Sequence, residues 1–179
     1  MKRLALTAIG HDRPGIVAGV TAVLLRHEVN IEDSQMAILG GHFTMTLILA
    51  APAGADRARI GDELQAAGRE LGLEALVLRE VEPLSDASPE PTHVVTVYGV
   101  DHPGIVHAAT RTLAEHEVNV TDLNTRLVEE AGEQPLYVLM MEVVVPAGVG
   151  ADALTGALAE PPELRGVDVS VRELERHEL

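Results

Sequence analysis

The sequence contains no cysteine, no tryptophan and only three other aromatic residues, Phe43, Tyr98 and Tyr137. Without cysteine the chain cannot form a disulfide, a zinc–thiolate site or a thiol nucleophile. With so few aromatic rings it offers almost no surface on which unpaired bases would stack. Its cores must therefore be built from aliphatic residues, which are plentiful because 46% of the chain is hydrophobic.

Basic residues are also scarce. The 179 residues include 13 Lys and Arg against 28 Asp and Glu, which gives a formal net charge of −15 at pH 7. Most of the excess lies in residues 93–179, where 5 basic and 15 acidic side chains give −10. A negative surface repels the phosphate backbone, so direct nucleic-acid binding is not expected.

Long hydrophobic runs are absent as well. The opening "MKRLALTAIG" has a short apolar stretch, but His11, Asp12 and Arg13 follow at once and make it too short for a secretion signal. No segment approaches the roughly 18 uninterrupted apolar residues of a membrane helix. The sequence therefore predicts a cytoplasmic protein with no membrane partner.

One short stretch occurs twice. "GHDRPGIVAG" at 10–19 returns as "GVDHPGIVHA" at 99–108, and 13 of 24 positions are identical between 10–33 and 99–122. Two copies indicate a duplicated module rather than a solenoid, which needs at least three repeats.

Each copy has the pattern strand–helix–strand–strand–helix–strand. In copy one the apolar residues Ile16, Val20, Val23 and Leu24 fall on one face of a helix. A Gly40–Gly41 pair suits a tight hairpin. The predicted strands are 3–9, 30–39, 42–51 and 73–81, and the predicted helices are 14–28 and a second one that ends at Gly72.

Copy two repeats this order with a longer hairpin at 128–135, a second helix stopped by Pro161–Pro162 and a last strand at 167–174. The predicted domains are 1–82 and 93–179, joined by a proline-rich linker at 83–92. The fold class is α+β, with two ferredoxin-like βαββαβ units whose antiparallel sheets carry both helices on one face. The third strands are largely apolar on both faces, so we expect the helix-free face of each sheet to meet the sibling unit, a second chain or both. The expected assembly is a homo-oligomer formed through sheet faces or edges.

The segments "GHDRPGIV", "NIEDS" and "LGGHFTM" resemble ACT domains. The tandem arrangement resembles the glycine cleavage system transcriptional repressor family. The resemblance implies the split-βαβ fold and an amino-acid-sensing regulatory role. It also implies a small-molecule site where two modules pair, formed by the first strand-to-helix loop of one module and the neighbouring strand of the other.

By position, the resemblance assigns ligand contacts to the loops 10–15 and 99–104 and to an asparagine at the start of each second strand. A helix N-terminus suits the ligand's carboxylate, and an Asp in each loop would hold its ammonium group. The candidate ligand-binding residues are His11, Asp12, Arg13, Gly15, Ile16, Asn30, Ile31, Asp101, His102, Gly104, Ile105 and Asn119.

The same residues also have a purely structural interpretation. Asp before a helix is a common cap, and Asn before a strand often serves a turn. We expect no metal site, because His11, His102 and His107 show no converging ligand spacing. His27 and His116 are predicted to end the first helices, where a His suits the negative end of the helix dipole.

No serine lies in a nucleophile motif and no carboxylate pair is marked out by apolar surroundings, so neither an enzyme nor a cofactor is expected. The main hypothesis is a non-enzymatic regulatory protein that binds a small amino acid, glycine or serine, at an ACT–ACT interface. It would act through a transcription factor or an enzyme. The alternatives are a regulatory subunit of an amino-acid or one-carbon enzyme, and an assembly module without ligand. Copy one matches the ACT pattern better, so binding is expected mainly through Asp12 and Asn30.

Overall fold

The computed structural model describes residues 1–82, 89–128 and 135–174. The chain divides into two compact units, residues 1–85 and 86–179. Most of the predicted linker and most of the long hairpin of copy two fall outside the described residues. No described helix is both long and apolar enough to cross a membrane.

The first unit has the βαββαβ order that the sequence predicts. Its four strands form one antiparallel sheet in the spatial order β2-β3-β1-β4. The elements are β1 (Lys2–His11), α1 (Ile16–Arg26), β2 (Asn30–Leu39), β3 (His42–Ala51), α2 (Arg57–Glu70) and β4 (Leu73–Glu80).

The second unit repeats this topology in the order β6-β7-β5-β8, again antiparallel throughout. The predicted fold class is confirmed. The elements are β5 (His93–Val100), α3 (Ile105–Glu115), β6 (Asn119–Val128), β7 (Leu136–Val144), α4 (Ala151–Ala159), a short 3-10 helix (Pro162–Leu164) and β8 (Val167–Glu173).

Each unit has its own aliphatic core. In the first, Leu4 and Leu6 of β1 are buried beneath the predicted apolar face of α1. Burying one such side chain contributes roughly 1.5–3 kcal/mol. The predicted helix residues Ile16, Val20, Val23 and Leu24 are all buried, as are their counterparts Ile105, Ala109, Thr112 and Leu113.

The first helices are shorter than predicted. Helix α1 begins at Ile16, not Pro14, because Gly15 before it has a left-handed φ of 99° and cannot continue a right-handed helix. Gly104 does the same before α3 with a φ of 105°. At the other end the prediction is confirmed, since His27 and His116 are the C-terminal cap residues.

An ionic cluster joins the end of α1 to α2. The Oε2 atom of Glu63 lies 3.2 Å from Nη2 of Arg26 and 3.2 Å from Nε2 of His27. The Oε1 atom lies 3.3 Å from Nε of Arg59. Burial alone would raise the pKa of Glu63, but hydrogen bonding and charge interactions with these three side chains outweigh it and hold the pKa below the ordinary value of 4.5.

Strands β2 and β6 are exposed edge strands. Every residue of β2 except Ala37 is exposed, and so is every residue of β6 except Val120. On β2, Met36 and Ile38 pair with buried residues of β3, yet they are 49% and 53% exposed. No helix of the described unit covers them, so this edge presents apolar side chains beside unpaired backbone groups.

Candidate functional site

The loop between β1 and α1 is attached to the hairpin that follows β2. The backbone N–H of Asp12 donates to the carbonyl of Gly41 at 3.3 Å. In the second unit the N–H of Asp101 donates to the carbonyl of Pro135, also at 3.3 Å. The duplicated loops therefore have the same support, at the same end of each sheet.

Both loops leave a helix N-terminus without a side-chain cap. The first intrahelical bonds run from Gly19 to Gly15 and from Ala108 to Gly104, each 2.8 Å long. No described side chain accepts from the free N–H groups of residues 16–18 or 105–107. By contrast, Asp56 caps α2 with bonds of 3.0 and 3.2 Å.

The structural interpretation of Asp12 as a helix cap is therefore wrong. The cap position belongs to Gly15, three residues later, and Asp12 lies in the loop before it. The same holds for Asp101 and Gly104. Since neither carboxylate is used by its helix, both acids are available for another partner.

The surroundings of the two helix starts differ. Apart from Gly15 and its two chain neighbours, no atom of the described residues lies within 4 Å of the point where a β-carbon of Gly15 would stand, so the space beside it is open. The corresponding point at Gly104 is 3.2 Å from the side chain of Glu163. One carboxylate oxygen of Glu163 is buried and accepts no hydrogen bond from the described residues.

The loops also differ in charge. Arg13 donates to the carbonyl of Glu70 at 2.5 Å, which holds its guanidinium over the turn between α2 and β4. At the matching position the second unit has His102, whose ring nitrogen lies 3.2 Å from the carbonyl of Pro103. The first loop therefore has a permanent cation and the second does not.

Two open clefts contain candidate residues. In the second unit a cleft of about 350 Å³ is lined by residues 101–107 and Tyr137, and thus brings Asp101, His102, Gly104 and Ile105 together. In the first unit a groove of about 520 Å³ lies between α1 and the start of β2. Asn30 and Ile31 line this groove beside Leu25.

The structure does not bring the loop and the asparagine of one unit together. Asn30 pairs with Ala50, which pairs with Arg3 near the start of β1, whereas the loop follows His11 at its end. His11 is eight residue steps along the strand from Arg3, which corresponds to about 26 Å. The candidates of the first unit thus form two groups at opposite ends of the sheet.

Sequence reasoning missed two neighbours of His11. His42 pairs directly with His11, with ring centroids 5.4 Å apart. Glu74 of β4 lies 3.3 Å from the Nε2 atom of His11. The strand order of the fold could have indicated both neighbours. Because β1 lies between the antiparallel strands β3 and β4, its last residue must adjoin the first residues of both.

Comparison with known proteins agrees with this architecture. Residues 2–77 and residues 93–152 each match a family model described as ACT domain. A crystal structure of a protein from Galdieria sulphuraria superposes with a TM-score of 0.78 at 28% identity, covering 97% of this chain and 99% of that one. The fold and these matches define a regulatory protein built from two ACT domains.

Two sequence relatives specify the group further. The glycine cleavage system transcriptional repressor of Escherichia coli is 31% identical over 151 residues, which cover 84% of this chain and 77% of that protein. A UPF0237 protein of Methanopyrus kandleri is 42% identical over 81 residues, covering 45% of this chain and 90% of that protein. The chain belongs to the family of the glycine cleavage system transcriptional repressor.

Proposed function

We propose that this protein is a non-enzymatic cytoplasmic sensor that binds a small amino acid where two ACT modules meet and acts through a protein partner. The observation that carries the proposal is the uncapped N-terminus of α1 beside the open space at Gly15. Free N–H groups at a helix start bind anions, and an amino acid supplies one as its carboxylate.

The loop of the first unit matches both charged groups of such a ligand. The ligand's carboxylate accepts hydrogen bonds from the N–H groups of Ile16 and the next residues, where the missing side chain of Gly15 leaves room. The carboxylate of Asp12 accepts from the ligand's ammonium group. His11 and Arg13 border the site, and we propose glycine or serine as its ligand.

A second module supplies the other half of the site. Antiparallel pairing of two β2 edges reverses one strand relative to the other, so it brings Asn30 and Ile31 of one module to the loop end of its partner. A twofold axis between two copies of the chain generates this pairing. It would also cover Met36 and Ile38, which are exposed in the single chain. We therefore propose a homodimer through β2.

The first unit is the better ligand site of the two. Its helix start is open, and Arg13 adds positive charge nearby. In the second unit the carboxylate-bearing side chain of Glu163 lies against Gly104 and disfavours a second carboxylate there. The matching residues Asp101, His102, Ile105 and Asn119 form the weaker site.

The regulatory step is a shift between module arrangements that bind the amino acid with different affinity. The relative in Escherichia coli is a transcriptional repressor. We propose that this chain also regulates transcription, through a DNA-binding protein, because its net charge of −15 opposes direct contact with DNA.

The experiment is a thermal-shift screen of the twenty amino acids on the wild-type chain, Asp12→Ala and Asn30→Ala, with Asp101→Ala and Asn119→Ala as matched controls. A ligand at 100 times its Kd stabilises the folded state by about 2.7 kcal/mol. We expect glycine or serine to raise the melting temperature of the wild type. Asp12→Ala and Asn30→Ala should lose this increase, and the two controls should largely keep it. A flat screen of folded wild-type protein would overturn it.

A further inference from the structure

A group of histidine and glutamate side chains lies where β1, β3 and β4 of the first sheet meet. His11 is the last residue of β1, His42 is the first of β3 and Glu74 is the second of β4. One ring nitrogen or carboxylate oxygen from each of the three lies within 4.8 Å of the other two. We propose that His11, His42 and Glu74 bind a divalent transition-metal ion of the zinc type.

The spacing is close to what a shared ion requires. Metal–ligand distances of about 2.0–2.2 Å place two ligands of one ion at most about 4.4 Å apart. The pair formed by Nε2 of His11 and Oε1 of Glu74, at 3.3 Å, already meets this limit. All three residues are exposed, so rotation of their side chains does not disturb the core. Metal binding requires such rotation, because the rings of His11 and His42 stack on each other at an interplanar angle of 30°.

The duplicated unit shows that the fold does not need this cluster. Val100 and Leu136 form the strand pair that corresponds to His11 and His42. An aliphatic pair satisfies the same position of the same sheet, and the hydrophobic pair suits a β-strand surface better than two imidazoles. The sheet therefore does not require histidine at either of these positions.

The chemical type of the donors selects the ion. Imidazole favours zinc, cobalt, nickel and copper, whereas magnesium and calcium favour sites made of oxygen alone. Three protein ligands leave at least one coordination position of the ion open. Because the cluster is exposed, that position faces solvent and would take a water molecule or a small external ligand.

The test is a titration of the full-length, tag-free chain with cobalt chloride, followed by visible absorption, and then displacement with zinc chloride. The variants are His42→Ala and Glu74→Gln, neither of which belongs to the proposed amino-acid site. The matched control is His107→Ala, which removes an exposed histidine from the second unit. Far-ultraviolet circular dichroism confirms that each variant is folded.

The proposal expects one cobalt ion per chain, with ligand-field absorption bands that zinc abolishes. His42→Ala and Glu74→Gln should each weaken cobalt binding by more than about 100-fold. This exceeds the roughly 10–100-fold loss that is typical when a residue outside the set of metal ligands is changed. His107→Ala binds like the wild type. The proposal is overturned if cobalt does not bind, if His42→Ala or Glu74→Gln binds as tightly as the wild type, or if His107→Ala loses binding equally. None of these outcomes depends on amino-acid binding.

Discussion

Asp12 and Asn30 lie at opposite ends of the first sheet, since Asn30 is in register with Arg3 through Ala50 and Asp12 follows the last residue of β1. One unit cannot place both against a ligand the size of glycine. The proposed site therefore exists only when a second module supplies the missing half, and ligand binding must depend on the β2 edge.

The first prediction concerns that edge. Ile38→Lys places a charge among the exposed apolar side chains of β2, so it should prevent the proposed dimer from forming. It should thereby abolish the proposed amino-acid binding, although Ile38 is not among the residues proposed to contact the ligand. The control Val77→Lys changes an exposed apolar position on β4, at the other edge of the sheet. Analytical ultracentrifugation measures the mass of each. A dimer in Ile38→Lys would be inconsistent with pairing through β2.

The second prediction concerns the end of β1. A β-carbon on Gly10 would stand 2.8 Å from the Cα of Leu73 and 2.9 Å from the carbonyl oxygen of Gly72. Both are backbone atoms, so Gly10→Ala should lower the free energy of unfolding by about 1–3 kcal/mol, as overpacking does. Gly61→Ala is the control, because its position in α2 is open and should gain up to about 1 kcal/mol of helix propensity. Denaturant unfolding measures both, and equal stability of the two variants would refute the backbone contact.

The third prediction concerns pH. The folded-state pKa of Glu63 is lowered, so its ionised form stabilises the fold at pH values above 4.5 and this contribution is lost as the pH falls through the folded pKa. Glu63→Gln should melt below the wild type at neutral pH, and the difference should vanish in acid. Melting curves across the acid range measure it. A constant difference at all pH values would rule out linkage to Glu63.

The fourth prediction concerns the weaker site. Glu163→Gln removes a negative charge next to Gly104 while keeping the size of the side chain. Binding of the amino acid to the second unit should strengthen, and calorimetry at high ligand concentration should show an additional site per chain. The control is Glu160→Gln, which makes the same change of charge at the end of α4. If the two variants bind alike, Glu163 does not distinguish the units.

Much of the fold was predictable because local pattern and local structure agree. The bounds of β2 and β3 match the prediction residue for residue, since the Gly40–Gly41 pair sets the turn of the hairpin between them. The buried face of α1 follows from the helical spacing of its apolar residues. Duplication strengthened each inference, because both copies show the same pattern.

The arrangement of the site was less predictable because it depends on contacts between distant segments. Proline before glycine suggested an earlier helix start, and only the left-handed φ of Gly15 shows that Asp12 is not a cap. The pairing of His11 with His42 depends on the register of β1 against β3, which no local signal sets. For the same reason, the separation of Asp12 and Asn30 could be determined only from the register of the sheet.

The most direct test of a ligand site shared between two chains is calorimetric titration with glycine or serine. The samples are Asp12→Ala, Asn30→Ala and an equimolar mixture of the two after subunit exchange. In the proposed dimer each site combines Asp12 of one chain with Asn30 of the other, so the mixed dimer has one site with both residues intact. We expect no binding at the first unit of either variant alone and recovery of about a quarter of the wild-type first-unit sites in the mixture, because half of randomly paired dimers are mixed. A mixture that binds no better than its components would contradict a site shared between two chains.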